Sequence, residues 1–155
     1  MTTTARATVN LTIKPVGMRF YIPGLPQPQG SARAFVVAGK ARVTSDNPKV
    51  KSWRVDAKRV FQERIGVPCC GPVTVKATFE FPRPKGHFGS GRNADRVRDS
   101  APQEHTVKPD LDKLARALLD AGTGTLWRDD AQVVGLTVRK RYAEQPGTWV
   151  EVVAR

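Results

Sequence analysis

The sequence predicts an α/β (α+β) fold, a small mixed and largely antiparallel sheet with two main helices. Three observations predict it. Val73, Val75, Ala77, Phe79 and Phe81 alternate with polar residues, which is the period of a strand with one buried face. Val50, Trp53, Ala57, Val60, Phe61 and Ile65 recur at helical spacing, and Leu114, Ala117, Leu118 and Ala121 do so farther on. The element order then reads β-hairpin, α, β, loop, α, β, β, with no repeat and no internal boundary, so the 155 residues suit one domain.

Residues 1–16 are Thr-rich and weakly patterned, and read as a loose leader. Arg19–Ile22 is a short strand stopped by Pro23-Gly24, and residues 25–33 are a Pro/Gly-rich loop. Ala34–Ser45 reads as a hairpin with Gly39-Lys40 at its tip. A helix runs from Pro48 to about Arg64 and is ended by Gly66 and Pro68. Its other side carries Lys51, Arg54, Lys58 and Arg59, which serves either as a solvated surface or as a phosphate contact. The strand at 73–81 breaks at Pro82 and Pro84. The following segment, a basic loop over about 83–108, has almost no apolar content and holds Arg83, Lys85, Arg92, Arg96 and Arg98. So long a stretch without structure is functional or disordered. It is expected to be mobile alone and to order over a nucleic-acid backbone. Val133–Tyr142 and Trp149–Val153, joined at Pro146-Gly147, are expected to pair as an antiparallel hairpin.

Charge narrows the partners. Twenty-six Lys and Arg against fourteen Asp and Glu leave a net +12, which favours nucleic acid over an anionic membrane surface. Ribosomal-type RNA-binding proteins share this composition, so charge alone does not indicate catalysis. Cys69 and Cys70 are adjacent and poorly placed to bridge each other, and no metal-type Cys/His spacing occurs. No apolar run has signal-peptide or membrane-spanning length. A reduced cytoplasmic protein with no membrane partner and no small-molecule cofactor is expected.

Against that basic background, five aspartates fall between Lys108 and Lys140: Asp110, Asp112, Asp120, Asp129 and Asp130. If the chain stays extended after Pro109, Asp110 and Asp112 point to one face. Asp112 then suits the N-cap of a helix starting at Lys113. Nine helical residues rise about 13 Å, and residues 125–130 extended cover roughly 16–20 Å. A turn at Gly122–Gly124 can therefore bring Asp130 back beside Asp112. Three carboxylates with no thiol or imidazole suit a hard cation, Mg²⁺ or Mn²⁺. Such an ion activates water and polarises a phosphodiester. Each aspartate taken singly also has a structural use: Asp112 as a cap, Asp112–Arg116–Asp120 as an ion-pair ladder, Asp129-Asp130 as turn residues.

The stretch Lys108-Pro-Asp-Leu-Asp-Lys-Leu-Ala-Arg-Ala-Leu-Leu-Asp120, then Asp129-Asp-Ala-Gln-Val-Val134 and Lys140, resembles the signature of RusA-type Holliday-junction resolvases. The segments around Phe20–Arg33 and Phe81–Gly89 also resemble phage-borne and prophage-borne members. The resemblance implies a RusA-like fold and a homodimeric, Mg²⁺-dependent endonuclease that cuts four-way or branched DNA by symmetric paired nicks. It implies a bacterial cytoplasm as the setting, with the chain host-borne or phage-encoded. The essential carboxylates fall on Asp110, Asp112 and Asp130, which would hold the metal, with Mn²⁺ the alternative to Mg²⁺. Lys140 matches a downstream lysine. A family lysine is replaced by Arg116, which keeps the charge but does not readily relay a proton. Lys113 replaces a common Asn. The expected catalytic set is Asp110, Asp112, Asp130, Arg116 and Lys140. Lys108, Lys113, Arg116, Lys140, Lys51, Arg54 and Lys58 are expected to meet DNA. The rival readings are a non-catalytic branched-DNA binder, a flap or single-strand nuclease with the same site, and an RNA-binding protein.

Overall fold

The structure, a computed structural model, describes residues 17–45 and 47–155. The leader expected over residues 1–16 lies outside them. The elements are β1 Gly17–Pro23, β2 Ala32–Val37, β3 Lys40–Ser45, α1 Lys49–Gln62, β4 Val73–Phe81, α2 Leu111–Gly122, β5 Val133–Tyr142 and β6 Gly147–Ala154. The main sheet has the order β1-β6-β4-β5, and β2 and β3 form a separate two-stranded ribbon. The ribbon turns at Ala38 and Gly39, both at positive φ, the backbone of a tight two-residue hairpin turn. The tip thus sits one residue earlier than the sequence suggested.

β4 is the centre of the fold because it is the strand with most apolar surface to hide. Val73, Val75, Ala77, Phe79 and Phe81 are all buried, as their alternation predicted. Around them pack Phe20 and Ile22 from β1, Val150 and Val152 from β6, and the apolar stripes of both helices. α1 contributes Val50, Trp53, Ala57 and Phe61, the last meeting Phe20 edge-on at 5.2 Å between ring centroids. α2 contributes Leu114, Ala117, Leu118 and Ala121, none of them accessible to solvent. Both helices therefore lie on one face of the sheet.

The hairpin expected from β5 and β6 does not form. β4 lies between them, antiparallel to β6 and parallel to β5. The physical reason is the apolar content of β4, which takes the central place and excludes direct pairing of its two neighbours. Residues 143–146 then span a strand instead of making a tight turn, held by Ala143 N–H on the Phe81 carbonyl and Gly24 N–H on that of Pro146. Parallel neighbours need a crossover connection. The segment from Pro82 to Asp110 and α2 supply it.

That segment is more ordered than its composition suggested. It holds 3-10 turns at Lys85–His87 and Gly91–Asn93 and a bridge between Phe88 and Val97. Arg98 donates to the Phe88 carbonyl (2.6 Å) and Arg83 to that of Pro102 (2.7 Å). Ala101 and His105 are its buried anchors. Among the described residues no helix is long and apolar enough to cross a membrane.

Candidate active site at the start of the second helix

The β4–β5 pairing sets Lys140 opposite Phe79, on the face covered by the helices. Its ammonium donates to the carbonyls of Val107 (2.7 Å) and Pro109 (2.8 Å), and so clasps the chain just before Asp110. Two of its three N–H groups are used, leaving one. The Lys108–Pro109 peptide is cis. Asp110 occupies the N-cap of α2 with extended backbone, but its carboxylate caps nothing. That carboxylate is 52% exposed and lies 3.8 Å from the Lys113 ammonium. The helix begins two residues earlier than expected. Asp112 therefore sits in the first turn, where a negative charge is favoured by the helix dipole, and does not cap. The relation between the two carboxylates is set by a helix start and not by strand alternation.

At the other end of α2 the chain reverses around Gly122, whose carbonyl accepts from the N–H groups of Thr125 and Leu126. The fully buried Trp127 ring lies against Gly122, in the space a Cβ would need. The chain then returns, and the turn starting at Asp130 packs against α2. Asp129 is its cap: its side chain accepts from Ala131 N–H (2.8 Å), with Gln132 completing a capping box. Gln132 is the residue that composition did not single out. Its Oε1 accepts from Arg128 and Asp129 N–H, and its Nε2 donates to the carbonyls of Cys69 and Gly71. The Asp-x-x-Gln spacing at 129–132 was the available signal.

The fold thereby sorts the five aspartates. Asp129 is a cap. Asp120 is bound by Arg54 at 2.6 Å, and the Arg54 guanidinium also bonds Gln29. The ladder through Arg116 does not form, because Arg54 reaches Asp120 from α1. Asp110, Asp112 and Asp130 are exposed, and among the described residues Asp112 and Asp130 make no side-chain hydrogen bond or ion pair. Arg116, one turn beyond Asp112, is exposed and equally uncommitted among the described residues.

The remaining cations expected at the nucleic acid differ in exposure. Lys108 is exposed; Lys113 is partly so and lies 3.4 Å from the Ser31 hydroxyl. On α1, Lys51 is exposed and Lys58 half-buried. A depression of about 450 Å³ opens beside Asp110, walled by Leu25, Pro26, Pro28, Phe81 and Lys113.

Beneath Lys140 lies His105. Its ring packs tilted against Phe81 (4.4 Å) and Tyr142 (4.9 Å), and its Nδ1 is buried without a hydrogen-bond partner among the described residues. Burial lowers its pKa below the ordinary value of 6.5, and the Lys140 charge adds to the effect while its own backbone opposes it. In the pH window between that ordinary value and the lowered one, the unfolded chain binds the proton and the folded chain does not. Stability is therefore complete above the window and lost as pH falls through it. His105→Phe is expected to lose less thermal stability than the native chain between about pH 7.5 and pH 5.5. Paired melting curves check this.

Among the described residues, no three His, Cys, Asp or Glu side chains are already grouped to hold a metal ion. Asp110, Asp112 and Asp130 are thus not assembled into a ligand set in this structure. The donor chemistry fits a hard cation all the same: oxygen ligands only, carboxylate oxygens left uncommitted, in a chain otherwise rich in positive charge.

Comparison with known proteins identifies the family. Residues 23–153 match the family described as Endodeoxyribonuclease RusA. The chain is also 31% identical over 139 residues to the uncharacterized protein YqaN of Bacillus subtilis (strain 168), covering 89% of this chain and 95% of that one. The match extends from the end of β1 to β6 and includes both halves of the aspartate segment. The chain belongs to the RusA family of endodeoxyribonucleases, whose activity is the resolution of Holliday junctions.

Proposed function

We propose that this chain is a Mg²⁺-dependent endonuclease that cuts four-way or branched DNA by paired symmetric nicks as a homodimer. The carrying observation is the sorting of the aspartates: two of the five have structural partners, and Asp110, Asp112 and Asp130 are left exposed. These three would hold the ion, Mg²⁺ or Mn²⁺, which supplies Lewis acidity towards a phosphodiester. Arg116, one turn beyond Asp112 and uncommitted among the described residues, offsets charge on the phosphate. Lys140 positions the strap before Asp110 and keeps one N–H for the phosphate. Lys108 and Lys113 flank the site, and Lys51 and Lys58 lie on the adjoining helix, whose Arg54, expected at the DNA, is instead held by Asp120 and Gln29. Together with exposed cations of the ordered 83–108 segment, these lysines grip the arms through phosphates. A two-fold dimer supplies two equivalent sites for two symmetric cuts.

One observation favours a second reading, a branched-DNA binder without catalysis. Arg116 stands where the family has lysine, and a guanidinium does not readily relay a proton. The test is cleavage of four-way, flap and linear duplex DNA in Mg²⁺ or in EDTA. Cutting of the junction in Mg²⁺ alone, with duplex spared, is the expected result. Tight binding with no cutting in any metal selects the second reading, and preferred cutting of flaps selects a flap nuclease.

A further inference from the structure

The face of the main sheet turned away from the helices carries a groove of its own. Strand alternation places Arg19 of β1, Lys76 of β4, and Arg139 and Arg141 of β5 on that face, with Trp149 of β6 among them. The groove they line has a volume of about 610 Å³. None of these residues belongs to the site at α2, because Lys140 and Phe79 point to the opposite face. Two carboxylates share the groove's surroundings with the four cations. Glu151 bonds Arg19 at 3.0 Å and lies 4.0 Å from Lys76, and Glu80 is buried under Arg141 at 2.5 Å. Positive charge is left over. Among the described residues Arg139 meets no carboxylate: its Nε donates to the Thr78 hydroxyl (3.0 Å), which aims the guanidinium and leaves its terminal amino groups without a partner there. Lys76 is held only at the limit of ion pairing and is 67% exposed.

We infer that this groove takes the phosphate backbone of a DNA duplex arm, as a second contact surface on the face opposite the cutting site. The reading rests on the proposed action on branched DNA. Charge complementarity carries it: four cations from three strands surround one groove, and a second copy of the same face would be repelled. Same-face neighbours such as Arg139 and Arg141 stand about 7 Å apart along a strand, the scale of successive phosphates. Trp149 is 46% exposed and braced by Tyr21 at 4.7 Å, and offers a flat apolar surface to the sugars between them. A junction has arms leaving in several directions, so a protein that grips only around its cutting site leaves some of them unheld.

The test compares the native chain with Lys76→Ala/Arg139→Ala on a four-way junction, measuring affinity across salt concentrations and cutting rate at saturating DNA. Each phosphate contact contributes about 0.9 to the log–log salt slope. The double variant is expected to bind at least tenfold more weakly near 0.1 M salt, with the slope reduced by about 2 and the saturated cutting rate unchanged. Arg139→Lys should retain most of the slope, and Arg139→Glu should weaken binding further than Arg139→Ala. Native affinity and slope in the double variant, while it cuts normally, overturn the second surface and leave the proposed function standing. A change in oligomeric state assigns the face to protein contacts and overturns it equally. A native chain that binds no branched DNA overturns both readings.

Discussion

Asp112→Asn is expected to abolish junction cutting while junction binding is kept or tightened. The side chain lies in the first turn of α2, exposed and without a hydrogen bond or ion pair among the described residues. Removing its charge therefore leaves the packing untouched and forfeits only the dipole contribution, about 0.3–1 kcal/mol. The chain still folds. The amide cannot supply the anionic oxygen that a hard cation requires, so cutting should fall by about 100-fold or more, about 2.7 kcal/mol of barrier. Loss of one negative charge beside the phosphates favours binding. Gel-shift affinity and single-turnover cutting on the same junction measure the two separately. Native-rate cutting would remove Asp112 from the site.

Gly122→Ala is expected to produce the largest loss of stability among single methyl additions in this region. The added Cβ would occupy the volume of the Trp127 ring, which is fully buried and hydrogen-bonded through its Nε1 to the Thr123 hydroxyl at 3.3 Å. The ring has no room to give, and overpacking of this kind costs about 2–3 kcal/mol. The effect reaches function through the chain path. Gly122 closes the turn that leads through Trp127 to the Asp129–Gln132 cap, so displacing Trp127 shifts Asp130. Chemical denaturation should show the lower midpoint with an unchanged slope, and cutting should weaken below the unfolding temperature. Native stability would mean that the Trp127 turn is looser than its packing implies.

The legible parts of this fold were those governed by one short-range pattern. β4 falls at the residues its alternation indicated, β5 spans the strand expected at 133–142, and α1 deviates by a residue or two. What stayed hidden depended on distant partners. The pairing of β5 with β4 and not β6 is decided by the apolar content of β4 as a whole, which no feature of the Pro146-Gly147 connection discloses. The order in the 83–106 segment comes from His105 packing on Phe81 and Tyr142, a contact between three separate parts of the chain. In the site, composition located the five aspartates but could not rank them. Their ranking needed Arg54, sixty-six residues before Asp120, and the Gln132 side chain anchored on the Cys69–Gly71 loop. Asp110 and not Asp112 takes the N-cap position, because the helix starts at Leu111, and its carboxylate caps nothing.

The division of labour between neighbouring aspartates is tested most directly by measuring junction cutting for Asp130→Asn beside Asp129→Asn. Asn serves as well as Asp at an N-cap, so Asp129→Asn should cut within a few-fold of the native rate. Asp130→Asn should lose about 100-fold or more, roughly 2.7 kcal/mol, at native melting temperature. Equal losses in the two variants, or native cutting by Asp130→Asn, would contradict the assignment of Asp130 to the metal.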